Sequence, residues 1–244
     1  MNRLGLVLVA AALSTVTLAQ TPGTMQAQLH RAEQSPTPLW WGYRVTGIGA
    51  WNCGTVYLGG RDRTPQSGPV RILLHIENHQ VTRVRAIGGE CRIDAGGEPL
   101  QWAAGGDAAQ SMQLLASLAQ RPVPGAMAAL ADSGGTAAVP EMIRLAKLNP
   151  SAHVREQAIF WLSQRAGQKA AAALSSAVAN DPDTRVKERA VFGISQLPDG
   201  QGVPLLIQLV KTNSNPAVRK RAMFWLGQSK DPRALAFIEQ ILRR

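Results

Sequence analysis

The sequence predicts a mainly α-helical fold, a right-handed α-solenoid of about four helix pairs that follows a small disulfide-linked antiparallel β module. Three blocks with one apolar pattern recur at a constant period, at 154–162, 186–194 and 218–226. Asn-Pro or Asp-Pro dipeptides recur between the helical segments. A fixed period of this length is typical of stacked helix pairs, in which each pair buries its apolar face against the next. Because a solenoid presents a long surface, the pattern indicates a binding function.

The first predicted element is an export signal over residues 1–19. Asn2 and Arg3 give a short basic start, and the apolar run 4–13, about ten residues, is too short to cross a bilayer. Small residues before Gln20 fit a cleavage site, and an uncleaved anchor is the alternative. We therefore expect an exported protein, periplasmic or secreted, that is not integral to the membrane after cleavage. The Pro- and Thr-containing segment 20–38 predicts a flexible linker.

Residues 39–105 predict the β module, because they combine many glycines with aromatic residues and short alternating runs. The runs 70–76 and 81–87 bracket a polar segment, as in an antiparallel hairpin, and the second run predicts Val81 on the face opposite to Val84. Cys91–Asp94 predicts one more short strand, within a total of three to five. We expect this module to pack on the first helix of the solenoid.

The chain has two cysteines, Cys53 and Cys91, and both fall in the β module. In an oxidising compartment this pair predicts one disulfide, worth about 3–4 kcal/mol through its restriction of the unfolded chain. A structural zinc site needs four ligands at close spacing, and the four histidines show no such arrangement. We expect neither a metal nor a cofactor.

Residues 106–244 predict the solenoid. Asp107 is a suitable N-cap for its first helix, which Pro122 and Pro124 end. The second helices of the repeats superpose as well, since 139–147 precedes the similar segment 203–211 by two periods. At the Asn-Pro and Asp-Pro joints, the Asn or Asp can cap a helix that Pro begins.

The repeated elements, Val-Arg-x-x-Ala-x-x-x-Leu, then Asp-Pro, then a Val-Pro-x-Leu-Ile helix, resemble the HEAT repeat over about 124–244. They are most similar to the short HEAT-like repeats of phycobilin lyases and many bacterial proteins. Residues 89–97 with the helix that follows resemble the front end of exported bacterial HEAT-repeat proteins. The resemblance implies a module that binds a protein or peptide.

Basic residues occupy the second position of each block: Arg155, Lys187 and Arg219. The resemblance implies that they are repeat-structural and pair with acidic groups in neighbouring turns, for which Asp181, Asp183 and Asp231 are available. A phosphate-binding track is the alternative. Two positions further on, Gln157, Arg189 and Arg221 vary more, which favours contact with a ligand.

An aromatic residue occupies one further position in every block: Phe160, Phe192 and Phe224. At 100° per residue from Val154, Phe160 falls at about 240°, on the face that should be polar. HEAT-like repeats usually carry a polar or small residue there. The three rings therefore predict either an exposed strip that binds a partner or a strip that adjoining repeats or the β module cover. Trp161 and Trp225 fall on the core face of the same helices.

The net charge of +10 favours an acidic protein, an anionic polymer or a membrane surface as a partner, or serves solubility alone. The sequence contains no Gly-x-Ser-x-Gly, His-Glu-x-x-His or phosphate-loop motif, and no nucleophile with its base is apparent. We therefore expect a non-enzymatic protein-interaction module. The alternatives are a basic-surface binder of an anionic polymer or membrane, and a lyase-like or DNA-base-excising enzyme, which an export signal disfavours. For the same reason the sequence disfavours nucleic acid as a partner.

The last predicted helix has a wide apolar arc that includes Leu235, Phe237 and Leu242. An arc of this width indicates a surface that needs cover. A homodimer formed through this helix is therefore one expectation, with a monomer as the alternative.

Overall fold

The computed structural model describes residues 23–49, 66–89, 91–105, 107–165 and 167–243. Within these residues a helix and a four-stranded sheet precede a series of short helices. The elements in chain order are α1 (Met25–Glu33), β1 (Leu39–Gly49), β2 (Gln66–Glu77), β3 (Gln80–Gly88), β4 (Leu100–Trp102), α2 (Ala108–Ala119), α3 (Ala126–Gly134), α4 (Val139–Leu148), α5 (Ala152–Arg165), α6 (Ala170–Asn180), α7 (Thr184–Ser195), α8 (Gly202–Thr212), α9 (Pro216–Gln228) and α10 (Pro232–Leu242).

Two sequence predictions fall outside the described residues. The export signal, 1–19, is one, and Cys53, one half of the expected disulfide, is the other. The Cys91 side chain is buried. Both predictions therefore stand as predictions. In the part of the chain that the structure describes, no helix combines the length and apolarity needed to cross a membrane.

Helix α1 lies within the segment that was expected to be a flexible linker, so the structure differs from that expectation. Met25, Leu29 and Ala32 are spaced along one face of the helix, and all three are buried. Thr24 caps the helix, because its hydroxyl accepts a hydrogen bond from the Ala27 amide (3.3 Å). The polar composition of the segment hid an apolar stripe only two turns long.

The sheet has the strand order β3-β2-β1-β4. The predicted hairpin is confirmed: β2 and β3 pair antiparallel, and Asn78 and His79 form its turn with positive φ angles of 52° and 61°. Cys91–Asp94 is not a strand, so that prediction was wrong. The fourth strand is β4, which runs parallel to β1. The module is therefore a mixed sheet rather than an antiparallel one.

A β-bulge between His75 and Ile76 sets the facing of β3. Ile76 pairs with Val81 and His75 pairs with Arg83, so Thr82 is the extra residue. Val81 and Val84 are both buried although they are three positions apart. Strict alternation had predicted these two valines on opposite faces, and the bulge is the reason that they share one.

The buried face of the sheet packs against α2 and α3. The Tyr43 hydroxyl on β1 lies 3.0 Å from the Ser111 hydroxyl on α2, in a buried contact. The Val84 amide on β3 donates to the Pro124 carbonyl just before α3 (2.8 Å). One hydrophobic cluster runs from α1 through the sheet to α10. The β module and the helices thus share a core, and the predicted contact with the first helix extends to α3.

The helices pack most closely as α2 with α3, α4 with α5, α6 with α7, and α8 with α9, and α10 follows. We call α3, α5, α7 and α9, which occupy the same position in the repeat, first helices, and α4, α6, α8 and α10 second helices. The first helices α5, α7 and α9 pack on one another more closely than the second helices do. The first helices therefore form one continuous row along the array.

Candidate functional site

The three predicted phenylalanines lie side by side on α5, α7 and α9. The Phe160 and Phe192 rings are stacked nearly parallel, 6.5 Å apart. Trp225 continues the series, because its ring lies 5.2 Å from Phe192 and 5.0 Å from Phe224. These four rings are called the aromatic row below. The structure therefore brings the predicted residues together into one continuous surface on the first helices.

The aromatic row is only partly covered. Phe160 and Phe192 are half-buried by their neighbours, whereas 50% of Phe224 is exposed. Trp161 and Trp225, which the sequence placed in the core, are partly buried and pack at once against the core and against a row phenylalanine. The Trp225 Nε1 is buried and has no hydrogen-bond partner among the described residues. Adjoining repeats thus bury part of the aromatic row and leave the rest exposed to solvent.

Ion pairs between successive first helices flank the row. Arg189 donates to the Glu156 carboxylate through two nitrogens (3.0 and 3.3 Å), and its guanidinium carbon lies 5.6 Å from the centre of the Phe160 ring. Arg221 makes the equivalent contact with Glu188 at 3.5 Å. Both arginines, predicted as ligand contacts, therefore border the row. Arg189 is firmly held, whereas the single long contact leaves Arg221 free to accept a second anion.

A pocket of about 420 Å³ opens between α7 and α9, and we call it the central pocket. Phe192 and Trp225 contribute its apolar surface. Its charged lining consists of Arg185, Arg189, Arg221, Glu156 and Glu188. A pocket lined by two aromatic rings and three guanidinium groups suits a ligand that combines an apolar group with a negative charge.

A second pocket, of about 340 Å³, lies where the row ends, between the turn before α3 and helix α5; we call it the end pocket. Pro124 and Ala128 line one side, and Phe160 and Trp161 line the other, with Gln157 at the same opening. Ala128 stands one repeat period before Phe160, in the slot that later repeats fill with phenylalanine. The pocket therefore occupies the position at which a phenylalanine ring lies in the later repeats.

Sequence reasoning missed a row of glutamines beside the aromatic row. Gln164, Gln196 and Gln228 follow the three phenylalanines at a constant offset of four positions, and all three are exposed. A step of four positions along a helix leads to the same face. The signal was the same constant period that revealed the phenylalanines. These carboxamides can donate to and accept from a peptide backbone at the edge of the row.

Arg155 occupies a buried position between two repeats. Its Nε and Nη2 donate to the Asp181 carboxylate (2.7 and 3.0 Å), and its Nη1 donates to the carbonyls of Asn149 and Pro150 (2.9 and 3.0 Å). The hydrogen bond with Asp181 raises the pKa of the Arg155 guanidinium further. This is the inter-repeat pairing that a repeat-structural role requires.

The other two members of the basic ladder pair differently from the expectation. Among the described residues Lys187 donates to the Ala179 carbonyl (3.3 Å), and Arg219 donates to the carbonyls of Asn213 and Ser214 (2.8 and 2.9 Å). The acidic partner of Arg155, Asp181, lies 26 residues later in the chain. The residue 26 positions after Lys187 is Asn213, which carries no charge. The prediction of acidic partners was therefore wrong for Lys187 and Arg219, whose contacts are with carbonyl groups.

The other two acidic residues that were predicted as partners, Asp183 and Asp231, cap the N-termini of helices instead. Asp183 accepts from the Arg185 amide (2.8 Å) and Asp231 from the Arg233 amide (2.9 Å), which makes each of them an N-cap. Hydrogen bonds from the Arg233 side chain and amide lower the pKa of Asp231 to about 2. The Arg185 contacts lower the pKa of Asp183 in the same way.

The solvent-facing side of the sheet carries a separate basic and aromatic patch. The guanidinium carbon of Arg44 lies 4.8 Å from the centre of the Trp102 ring, and both side chains are exposed. Arg83 and Arg85 are exposed on β3. Within the described residues, no group of three or more His, Cys, Asp or Glu side chains is placed to hold a metal ion.

A family model for HEAT repeats matches residues 112–195 and 172–244, which together are more than half of the chain. No curated protein matches the chain. The matched residues run from α2 to the end of the helical array, so they contain the aromatic row and both pockets. HEAT repeats commonly mediate protein–protein interaction and typically act as non-enzymatic scaffolds. By this match and by its stacked helix pairs, the chain belongs to the HEAT-repeat family.

Proposed function

We propose that this protein is a non-enzymatic scaffold or adaptor of the cell envelope, which binds a protein or peptide partner on the face of its first helices. The aromatic row is the observation that carries the proposal. Four neighbouring rings cross three successive repeats on the row of first helices. A contiguous apolar strip with a polar rim has the anatomy of a protein interface.

The position of the phenylalanines supports binding rather than folding. Phe224 leaves half of its surface in water, and Phe160 and Phe192 are not part of the buried core. An aromatic side chain gains little stability from a site where much of it stays solvated. The same side chains gain much more when a partner buries them, which is why aromatic residues dominate binding energy at interfaces.

The envelope location rests on the signal sequence and on the predicted disulfide. Thiol labelling of the unreduced mature protein tests the disulfide, and we expect no labelled cysteine. Two labelled cysteines would remove the bridge and weaken the case for export. Detection of the amino terminus at Gln20 by mass spectrometry of the protein from its native host would support cleavage of residues 1–19.

Affinity capture from an envelope extract tests the proposed function. The baits are the mature protein from Gln20 and a variant with Phe160→Glu, Phe192→Glu and Phe224→Glu. A third bait carries Leu148→Glu, because Leu148 is 71% exposed but lies on the second helix α4. Circular dichroism must show the same helix content for all three baits.

We expect a partner that the mature protein and the Leu148→Glu bait retain and that the triple variant loses. Equal retention by all three baits would contradict binding through the aromatic row. Loss from the Leu148→Glu bait as well would mean that any new surface charge disturbs capture. In that case the row would have no special role.

A second candidate function is binding of an anionic polymer or membrane, which the solvent-facing side of the sheet favours. Arg44, Arg83 and Arg85 lie exposed there, and the chain carries a net charge of +10. Such binding should weaken steeply between low and moderate salt, whereas binding to the aromatic row should not. Retention on heparin that falls in an Arg83→Gln, Arg85→Gln variant would support this candidate.

Dimerisation through α10 is a further proposal about partners. Leu235 and Leu242 are exposed on that helix, while Phe237 is buried against the second-helix row. Light scattering at high protein concentration tests the proposal. A dimer that Leu235→Glu dissociates would support it, and a monomer would dismiss it. An enzymatic alternative of the lyase type predicts a coloured chromophore, which absorbance of the purified protein would detect.

A further inference from the structure

We infer that the partner of the first-helix face is an acidic peptide segment, with an apolar anchor residue in the end pocket and carboxylates over the central pocket about four to six residues away. The inference rests on the proposed function, because it names the chemistry of the ligand for the same face. Three features carry it: the vacant aromatic slot, the charges around the central pocket, and the spacing of the two pockets.

The end pocket is shaped for one apolar side chain. Later repeats fill the equivalent slot with their own phenylalanine, and Ala128 leaves it open. Phe160 and Trp161 form one wall, and Pro124 forms part of the other. A partner side chain placed there would stack on Phe160 and extend the aromatic row by one ring. The pocket thus gives an apolar residue contact with residues of α5 and of the turn before α3.

The central pocket favours negative charge. Three arginines line it against two glutamates, and each glutamate is already paired with an arginine. Arg185 is exposed, and Arg221 has one long contact with Glu188. A carboxylate beside Phe192 and Trp225 would therefore reach Arg221 without displacing a short ion pair, and would compete for Arg185 with its exposed contact to Asp183 (3.1 Å).

The charge of the face rises from α5 to α9. At one repeat position the residues are Glu156, Glu188 and Lys220. At the next position they are Gln157, Arg189 and Arg221. At these two positions the α5 end is therefore less basic than the α9 end, although Arg121 also lines the end pocket. Such a gradient fixes which end of a bound segment carries its acidic residues, since like charges repel at the wrong end.

The spacing of the pockets sets the spacing within the partner. The end pocket lies between α3 and α5, and the central pocket lies across α7 and α9. Packed helices stand about 8–10 Å apart, which places the pockets roughly 15–20 Å from each other. An extended chain rises about 3.3 Å per residue, so about four to six residues connect them. The glutamine row borders this path and can bond the backbone of the segment.

Selection from a random 12-residue peptide display library on the mature protein tests the inference. We expect enriched peptides in which Asp or Glu lies four to six residues from a Phe, Leu or Trp. Fluorescence anisotropy of a labelled synthetic copy then gives the affinity. Arg221→Glu should weaken binding at least tenfold. Arg144→Glu should change it less than twofold, because Arg144 is equally exposed and is also paired with a glutamate, but lies on α4.

Filling the end pocket gives an independent test. Ala128→Phe introduces the residue that later repeats have at this position, and it should weaken binding of the selected peptide at least tenfold. A peptide with its apolar anchor replaced by Ala should lose the same affinity in the parent protein, and the two losses should not add. Additive losses would show that the anchor binds elsewhere and would overturn this part of the inference.

The outcomes separate the inference from the proposed function. Peptides that depend on Phe192 and Phe224 but lack acidic residues, or that ignore Arg221→Glu, would overturn the inference alone. Peptides that bind the Phe192→Glu and Phe224→Glu variants with unchanged affinity would overturn both the inference and the proposed function. A selection that yields no binding peptide would do the same. Vesicles of phosphatidylglycerol or a 20-nucleotide single strand that compete for this face with equal affinity would overturn the assignment to an acidic peptide.

Discussion

At the scale of single residues, the repeats are joined by ion pairs at fixed offsets along the chain. Arg155 reaches Asp181, 26 residues onward. Asp132, Glu156 and Glu188 each meet an arginine 33 residues onward. Position in the repeat, rather than proximity in sequence, therefore decides which charges meet. Among these pairs the Arg155 pair is the buried one, with side-chain exposures of 9% and 4%.

Replacing Arg155 should strongly destabilise the protein. Arg155→Gln leaves the Asp181 carboxylate buried without its partner, and the loss of free energy of unfolding should be about 3–5 kcal/mol. Arg144→Gln removes an exposed pair with Glu141 and should cost less than about 1 kcal/mol. Urea unfolding monitored by circular dichroism measures both changes. Equal losses in the two variants would contradict a structural role for the buried pair.

The titration of Asp231 should follow its contacts with Arg233. The folded pKa of about 2 lies below the ordinary value of 3.8, because the Arg233 side chain and amide stabilise the charged form. The stabilising contribution of this carboxylate is therefore complete above about pH 4 and is lost as the pH falls through about 2. Carboxyl-detected NMR measures the midpoint. In Arg233→Gln it should rise toward 3.8, and an unchanged midpoint would contradict the assignment.

Several of these residue roles could be predicted from the sequence alone. The 100° rule placed Phe160 on the wrong face for a core residue, and the rings do lie at the surface. Asp181 was one of three acids that the sequence offered as partners for the basic ladder, but its choice by Arg155 depends on the turn geometry, which a linear spacing does not contain. Prediction of the end pocket would have required a comparison of Ala128 with Phe160. The sequence of α3 matches the later repeats too poorly for that comparison to be evident.

At the scale of elements, one glycine determines how the sheet meets the helices. Gly125 precedes α3 with a φ of +83°, and a Cβ at this position would meet the Val84 carbonyl of β3. The Val84 amide bonds the neighbouring Pro124 carbonyl (2.8 Å). The chain before α3 and the strand β3 therefore approach at backbone distance, which only glycine permits.

Gly125→Ala should weaken the docking of the sheet. The left-handed conformation costs about 1–2 kcal/mol for alanine, and the contact with Val84 adds to that. Gly227→Ala is the matched control, since Gly227 lies in helix α9 and has open space around it. That change should be neutral or should stabilise by up to about 1 kcal/mol. Denaturation followed by tryptophan fluorescence compares the two. A tolerated Gly125→Ala would contradict the close contact.

Sequence predicted the helices better than the strands. Each repeat carries its own apolar period and its own caps, so local information suffices for α5 to α10. The sheet depends on contacts between distant segments: β4 pairs with β1 from far along the chain, and the bulge at His75 changes the facing of β3. Local alternation contains neither feature, which is why Cys91–Asp94 was mistaken for the additional strand.

At the scale of the whole molecule, the sheet covers the first end of the helical array and shares its core. The cluster of buried residues continues from α1 through the sheet and into every helix pair. A solenoid exposes apolar surface at its ends unless a different element caps it. The β module serves as that cap, and α1 completes it by packing on α2 and β2.

Removal of α1 should therefore destabilise the whole protein. A chain that begins at Ser35 loses the buried side chains of Met25 and Leu29, and the free energy of unfolding should fall by about 2–4 kcal/mol. Replacing the exposed Gln26 by Ala is the control and should leave it unchanged within about 0.5 kcal/mol. Calorimetry measures both. An unchanged melting temperature after deletion would show that α1 is not part of the cap.

The claim that the first-helix face is the binding surface can be tested most directly by hydroxyl-radical footprinting of the unmodified mature protein with and without its captured partner. Mass spectrometry then reports the oxidation of each aromatic and leucine side chain. Binding through the first-helix face should protect Phe160, Phe192 and Phe224, while Leu148 and Leu235 on the second helices keep their reactivity. Protection of Leu148 and Leu235 with unchanged phenylalanines would contradict it.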